Sequence, residues 1–304
     1  MAFEGVYSII PTAFTDSGDI DPGSQRALVD LFIGKGANGL TALGVTGEVA
    51  RLEERERAVV LELVVKQAAG RVPIIAGTSA EGTRTCISYT RQAKELGASA
   101  VMVSPPRMPK LNSAAVVNHY KALADAVDLP IIVQDYPPIT GFAMEPALLA
   151  RIAKEVPSAR TIKLEDPPTP FKTARILEAA GDTTVQIFGG LGGVFLLEEL
   201  ISGATGAMTG FAFPEILARI MTHWNAGEKD AAADVFYRAV PLMRFEFQEG
   251  IGMAIRKEVL RRRGALASAA TRAPAGSLDP PTRQALDRVL AWVTSQKGME
   301  WISV

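Results

Sequence analysis

Residues 72–103, VPIIAGTSAEGTRTCISYTRQAKELGASAVMV, carry one complete structural unit. An apolar run opens at Val72, polar and glycine residues follow, and a helical pattern over Thr83–Leu96 closes at Gly97. A second apolar run begins at Ala100. Neither run alternates polar with apolar residues, which predicts strands covered on both faces, as in parallel sheets. Glycine just past a helix suits the left-handed conformation that ends it. Strand, helix and strand in this order form a βαβ unit with a right-handed crossover.

The unit recurs along the chain. Apolar runs rich in Val, Ile, Ala and Thr begin near Val6, Gly39, Val72, Ala100, Pro130, Thr161, Val185 and Thr205. Between them, Leu52–Ala69 puts Ala58, Leu61, Val65 and Ala68 on one stripe, and Ser113–Val127 stops before Pro130. Asp21 before Pro22 offers an N-cap acceptor and a ring pre-set for a first helical turn. Eight repeats of strand and helix predict a (β/α)8 TIM barrel. A doubly wound open sheet would carry a glycine-rich phosphate fingerprint after its first strand, and IIPTAFTDSG at residues 9–18 has none.

After the eighth run, Pro214–Trp224, Lys229–Arg263 and Thr282–Thr294 read as helices, with ALASAATRAPAGSLDPP as a linker. Residues 1–213 are therefore expected to form the barrel. Residues 214–304 are expected to be a C-terminal helical extension of the same domain, since none of its helices can hold a core alone.

Composition narrows the function. Of 304 residues, 48% are hydrophobic and 21% charged, which allows a large core. With 32 basic and 33 acidic side chains the net charge is −1, giving no pull toward nucleic acid or an anionic membrane. Arg261, Arg262 and Arg263 read as cations at a helix C-terminus. Cys86 is the only cysteine, so no intrachain disulfide or cysteine metal site is possible. His119 and His223 lie far apart in helical stretches and read as structural or solvent-facing. The start, MAFEGVYSII, lacks the charged and apolar regions of a secretory signal, and no apolar run approaches the ~18 residues of a membrane span. A soluble, cytoplasmic protein is the expectation.

In such barrels reacting groups sit at the carboxyl ends of the strands. Those ends carry Pro11-Thr12, Gly44-Val45-Thr46-Gly47-Glu48, Gly77-Thr78, Ser104-Pro105-Pro106, Gln134-Asp135-Tyr136, Lys163-Leu164-Glu165, Gly189-Gly190 and Met208-Thr209-Gly210. Only one lysine is among them. Lys66, Lys94, Lys121, Lys154 and Lys172 fall in helical segments and read as solvated amines. An ammonium on the apolar strand Thr161-Ile162-Lys163-Leu164 is costly, and desolvation favours the neutral amine that attacks carbonyls. The plainer alternative is a structural ion pair of Lys163 with Glu165 or Asp166. Glu165, two residues on, faces the same side if the strand persists, either as a proton shuttle or as a counter-charge. In the Gly44–Glu48 run, glycines free backbone N–H groups and Thr46 adds a hydroxyl, so with the following helix N-terminus the loop suits a carboxylate. Glu48 reads as tying that loop to backbone N–H groups.

Pro11-Thr12-Ala13-Phe14, the GVTGE run, Pro137 with Thr140-Gly141, and Lys163 together resemble the dihydrodipicolinate synthase/N-acetylneuraminate lyase superfamily over essentially the whole chain. The resemblance implies a class I aldolase-type mechanism that requires no metal or organic cofactor. Lys163 would form a Schiff base with a 2-oxo acid whose carboxylate is held by Thr46 and the N–H groups of Val45, Thr46 and Gly47. It also implies Tyr136, Gly190 and Met208 around the substrate, and a homotetramer or homodimer. Four departures argue against dihydrodipicolinate synthesis. The first of two loop threonines is Val45, and the strand-five tyrosine is Gln134. The arginine for the second substrate aligns with Ile139, and a relay tyrosine is replaced by Arg107. Neuraminate lyases share the strand-five tyrosine and are disfavoured too.

Gln134 with Lys163-Leu164-Glu165-Asp166-Pro167-Pro168 is similar to the 2-keto-3-deoxy sugar acid dehydratases, of the L-2-keto-3-deoxyarabonate type. That likeness implies a hydro-lyase with Glu165 as base and Gln134 as an orienting amide, which cannot exchange protons at neutral pH. Two alternatives stay open: a pyruvate-dependent aldolase, for which Tyr136 would supply the missing phenol, and a 2-oxo acid-binding barrel without turnover.

Overall fold

A computed structural model describes residues 3–304. Eight strands form one closed, all-parallel barrel in sequence order. They are β1 (Gly5–Ile9), β2 (Gly39–Ala42), β3 (Ile74–Gly77), β4 (Ala100–Val103), β5 (Ile131–Asp135), β6 (Thr161–Leu164), β7 (Gln186–Gly189) and β8 (Gly206–Thr209). Each of the eight apolar runs is thus a barrel strand, and β8 closes the cylinder by pairing Tyr7 with Met208.

The strands are buried on both faces for distinct reasons. Inside the barrel, Tyr7, Ile9, Ile75, Met102, Ile132, Phe188 and Met208 fill the lumen as one apolar cluster. Outside, Val6, Leu40, Ile74, Val101, Ile131, Ile162 and Ile187 meet the surrounding helices in a second, larger cluster. These helices are α1 (Pro22–Gly34), α2 (Glu54–Ala68), α3 (Thr83–Glu95), α4 (Ser113–Ala126), the single turn α5 (Pro137–Thr140), α6 (Pro146–Glu155), α7 (Thr169–Ala180) and α8 (Leu196–Ile201). Asp21 caps α1 as expected, accepting from the Gly23 and Ser24 amides at 2.9 and 3.1 Å. In α2 the buried face is Val60, Leu61, Val64 and Ala68, rotated slightly from the predicted stripe, with Ala58 and Val65 half-buried.

The extension comprises α9 (Pro214–Asn225), α10 (Lys229–Glu246), α11 (Gly252–Arg262) and α12 (Pro280–Thr294). The stretch Lys229–Arg263, read as one helix, is two. The chain leaves α10 at Phe247, and Gly250 at a φ of +78° turns it into α11. This break carries α11 back over the barrel, where Ala254, Ile255, Arg256, Lys257, Glu258, Val259 and Leu260 are all buried.

Candidate active site

Lys163 lies at the carboxyl end of β6 and is 2% exposed. Strand pairing sets Gln134 of β5 directly beside it. Glu165 follows β6, and its Oε2 receives Lys163 Nζ at 2.5 Å and Gln134 Nε2 at 2.7 Å. The Gln134 amide is fixed in this orientation because its Oε1 accepts from Ser104 Oγ at 3.0 Å. One carboxylate oxygen therefore holds both an amine and an amide donor. Burial pushes the Lys163 amine below the ordinary lysine range, with Glu165 opposing that drop and the Arg256 charge adding to it. Asp166, the other possible counter-ion, turns instead to Lys172 at 2.6 Å. Lys172, expected to be solvated, is buried between Asp166 and Asp135, to which it donates at 2.5 Å.

A glycine pair at the end of β7 makes room for two carboxyl groups. A methyl on Gly190 would sit 2.4 Å from Glu165 Cγ, and one on Gly189 would sit 1.6 Å from Glu199 Oε2. Only glycine permits Glu165 to lie flat against this strand end. Glu199, on α8, accepts from Thr169 Oγ1 at 2.6 Å, and burial raises it to about 7.

The loop after β2 differs from the expected helix entrance. It makes two short 3-10 turns, Val45–Gly47 and Val49–Arg51, and α2 begins only at Glu54. At the α2 N-terminus, Glu56 Oε2 accepts the Glu53 amide at 2.7 Å. Leu43 (φ +59°) and Glu48 (φ +56°) bracket this loop in the left-handed region, a conformation non-glycine residues adopt only when the surroundings enforce it. The enforcement is visible at Glu48. Its carboxylate is paired with the buried Lys257 of α11 and accepts from Arg51 NH1 at 3.0 Å and the Arg272 amide at 3.1 Å. The loop is thus tied to the extension by side chains as well as by the backbone N–H group expected.

A cavity of about 60 Å³ opens on Lys163 and Glu165, walled by Ile9, Val45, Thr46, Tyr136, Gly190, Thr209, Gly210, Phe247 and Arg256 among others. A water-sized group needs roughly 10–15 Å³, so this space takes a molecule of a few heavy atoms. Lys163 is consequently paired with a carboxylate and still borders space for a guest. Tyr136 is half-buried there, and burial, then Glu165, then Glu249 keep its phenol protonated by raising it above the usual tyrosine value. A second pocket of about 330 Å³ shares Val45 with it and is lined by Gln134. Its wall includes Arg57, Ser79, Glu81, Ser104, Arg107 and Ile139. Val45, Arg107, Gln134 and Ile139, the four departures from the synthase pattern, thus all line one space.

Two expected substrate contacts lie elsewhere. Met208 belongs to the lumen packing one layer below, because the side chain paired with Tyr7 points into the closed barrel; Thr209 and Gly210 form the wall at this strand. Gly47 spends its amide on Gly44 O at 2.9 Å and its carbonyl on Thr12 Oγ1 at 2.6 Å, so it shapes the loop from behind. Ser104, Arg256 and Phe247 were not anticipated. Ser104 stood among the strand ends with nothing to single it out, and the other two come from the extension. Among the described residues no group of three or more His, Cys, Asp or Glu side chains gathers as a metal site, and no helix is long and apolar enough to cross a membrane.

A closed (β/α)8 barrel with a buried lysine at the mouth of its sixth strand is the architecture of a lyase superfamily acting on small molecules. The chain belongs to the dihydrodipicolinate synthetase family, whose model matches residues 2–292. It is 34% identical over 288 residues to L-2-keto-3-deoxyarabonate dehydratase of Azospirillum brasilense, covering 93% of this chain and 92% of that one. It is 30% identical over 249 residues to 4-hydroxy-tetrahydrodipicolinate synthase of Maridesulfovibrio salexigens, covering 82% and 85%. The crystal structure of dihydrodipicolinate synthase from Rhodopseudomonas palustris superposes with a TM-score of 0.89 at 34% identity, covering 95% of this chain and 97% of that one.

Proposed function

We propose that the protein is a hydro-lyase that removes water from a 2-keto-3-deoxy sugar acid through a Schiff base on Lys163. The observation that carries this reading is the arrangement of Gln134 and Lys163 on one oxygen of Glu165. The position beside the lysine holds an amide, which cannot shuttle protons, and the group within reach of the amine is a carboxylate, which can.

The Lys163 amine adds to the C2 ketone and expels its oxygen as water, leaving an iminium. Glu165 takes a proton from C3, and that electron pair forms the enamine. The enamine then expels the C4 hydroxyl, which leaves as water with the proton held by Glu165. The conjugated iminium then loses a proton from C5 and regains one at C3, hydrolysis frees the lysine, and the C4–C5 enol tautomerises, so a five-carbon substrate ends as a semialdehyde with every carbon retained. The 330 Å³ pocket beyond Val45 and Gln134 has the position and polar rim to take the distal hydroxyl groups. The similarity to a keto-deoxy sugar acid dehydratase over 93% of the chain supports the same reading.

Product analysis tests it. With a 2-keto-3-deoxy pentonate, the expected product is a semialdehyde without pyruvate. Release of pyruvate would instead establish aldol cleavage, for which Tyr136, on the cavity wall, is the available phenol. Formation of dihydrodipicolinate precursors from pyruvate and aspartate semialdehyde would establish the synthase reading.

A further inference from the structure

One cation in the reacting cavity comes from none of the strand ends. Arg256 of α11 is 4% exposed and lines the same space as Lys163. Its ion partner is Glu246, but Arg256 Nε stands 3.5 Å from Glu246 Oε2, beyond a normal N–H···O bond, and has no hydrogen-bond partner. Glu246 Oε2 is already taken by the Ala212 amide at 3.0 Å. The guanidinium is thus neutralised by Glu246 while keeping donors to spare.

A second buried donor meets it. Thr46 Oγ1 is buried and without a partner. A methyl built on Gly210 would lie 2.8 Å from Thr46 Oγ1 and 3.2 Å from Arg256 NH1. The two groups therefore converge on one point of the wall, and the glycine keeps that point open. Buried polar groups left unpaired are costly, so a site holding two of them, one cationic, is matched to an anion with several acceptors.

We propose that Arg256 is a substrate-binding residue that receives the carboxylate of the 2-oxo acid, sharing it with the Thr46 hydroxyl over Gly210 while the keto carbon stands at Lys163. This rests on the Schiff-base reading above. Guanidinium suits the task because it stays charged when buried and presents a planar fork to carboxylate. Its charge also favours the neutral form of the Lys163 amine, so one residue recruits the acid and helps prepare the nucleophile.

The test compares two ketones that differ only in charge, pyruvate and pyruvamide, by borohydride trapping on Lys163. In the unaltered protein, half-maximal labelling is expected at a concentration about 10–100-fold lower for the acid, the ratio implied by a charged hydrogen bond. Arg256→Ala should remove most of that preference by weakening pyruvate, while pyruvamide labelling moves less than threefold. Arg256→Lys should restore part of it. A merely structural arginine would weaken both ketones alike. If Arg256→Ala does not fold, Arg256→Met combined with Glu246→Gln removes both charges together and is read the same way. An unchanged acid-to-amide ratio in these variants overturns the proposal. Failure of the unaltered protein to trap either ketone overturns the Schiff-base reading instead.

Discussion

Gln134 and Lys163 are paired neighbours on adjacent strands, and both donate to the same oxygen of Glu165. The amide holds the carboxylate in place whether or not the lysine carries a proton. In the proposed Schiff-base step the amine would lose its hold on Glu165, and Gln134 would still keep that oxygen beside the reacting carbon.

Lys163→Ala is expected to leave less than a hundredth of the activity and no borohydride-trapped adduct. The barrel should persist, since Glu165 keeps the Gln134 amide as donor. Turnover of a 2-keto-3-deoxy acid and circular dichroism together check this. Residual activity above that level would count against covalent catalysis.

Glu165→Gln keeps the size of the side chain and removes its basicity. Turnover should fall by about 10²–10⁴-fold, while trapping of pyruvate, which needs only the amine, survives. A loss under threefold returns Glu165 to the role of counter-charge.

Gly190→Ala places a methyl against Glu165 Cγ, which must shift to accept it. A displacement near 1 Å at a reacting group costs about 10²-fold, so kcat should drop to that extent with the lysine still labelled. An unaltered kcat would show that the carboxylate need not lie against β7.

Glu199 gives a pH-dependent stability. Burial raises it to about 7, so the folded protein holds a proton that the unfolded chain has released. The stability of the protonated form is fully present below the usual glutamate range and is lost as pH climbs to about 7. Glu199→Gln mimics that form and keeps an acceptor for Thr169. It should therefore add up to about 3 kcal/mol at pH 8 and little at pH 4, measured by urea unfolding. Equal effects at both pH values would contradict the assignment.

The strands were readable because parallel strands sealed on both faces leave uninterrupted apolar runs, and Lys163 was conspicuous as a charge inside one of them. Glu165 followed from its place two residues after Lys163, and Gln134 from the resemblance to the 2-keto-3-deoxy sugar acid dehydratases. Lys172 and Arg256 were hidden for the opposite reason. Each sits on a helix, where a lone cation looks like an ordinary solvated residue, and only tertiary packing buries it against carboxylates. Lys229–Arg263 reads as one helix despite Gly250 and Gly252, which lie at its break. Where the second half would land was beyond any local pattern. Met208 erred by one residue in height, since strand ends in sequence do not show which layer of the lumen a side chain enters.

Because Arg256 and Phe247 wall the lysine cavity from α11 and the turn before it, a ribosome that has finished every stave of the cylinder has not yet made the whole of that cavity. The wall that α11 and its preceding turn supply is complete only once residues 247–256 have been synthesised and folded back.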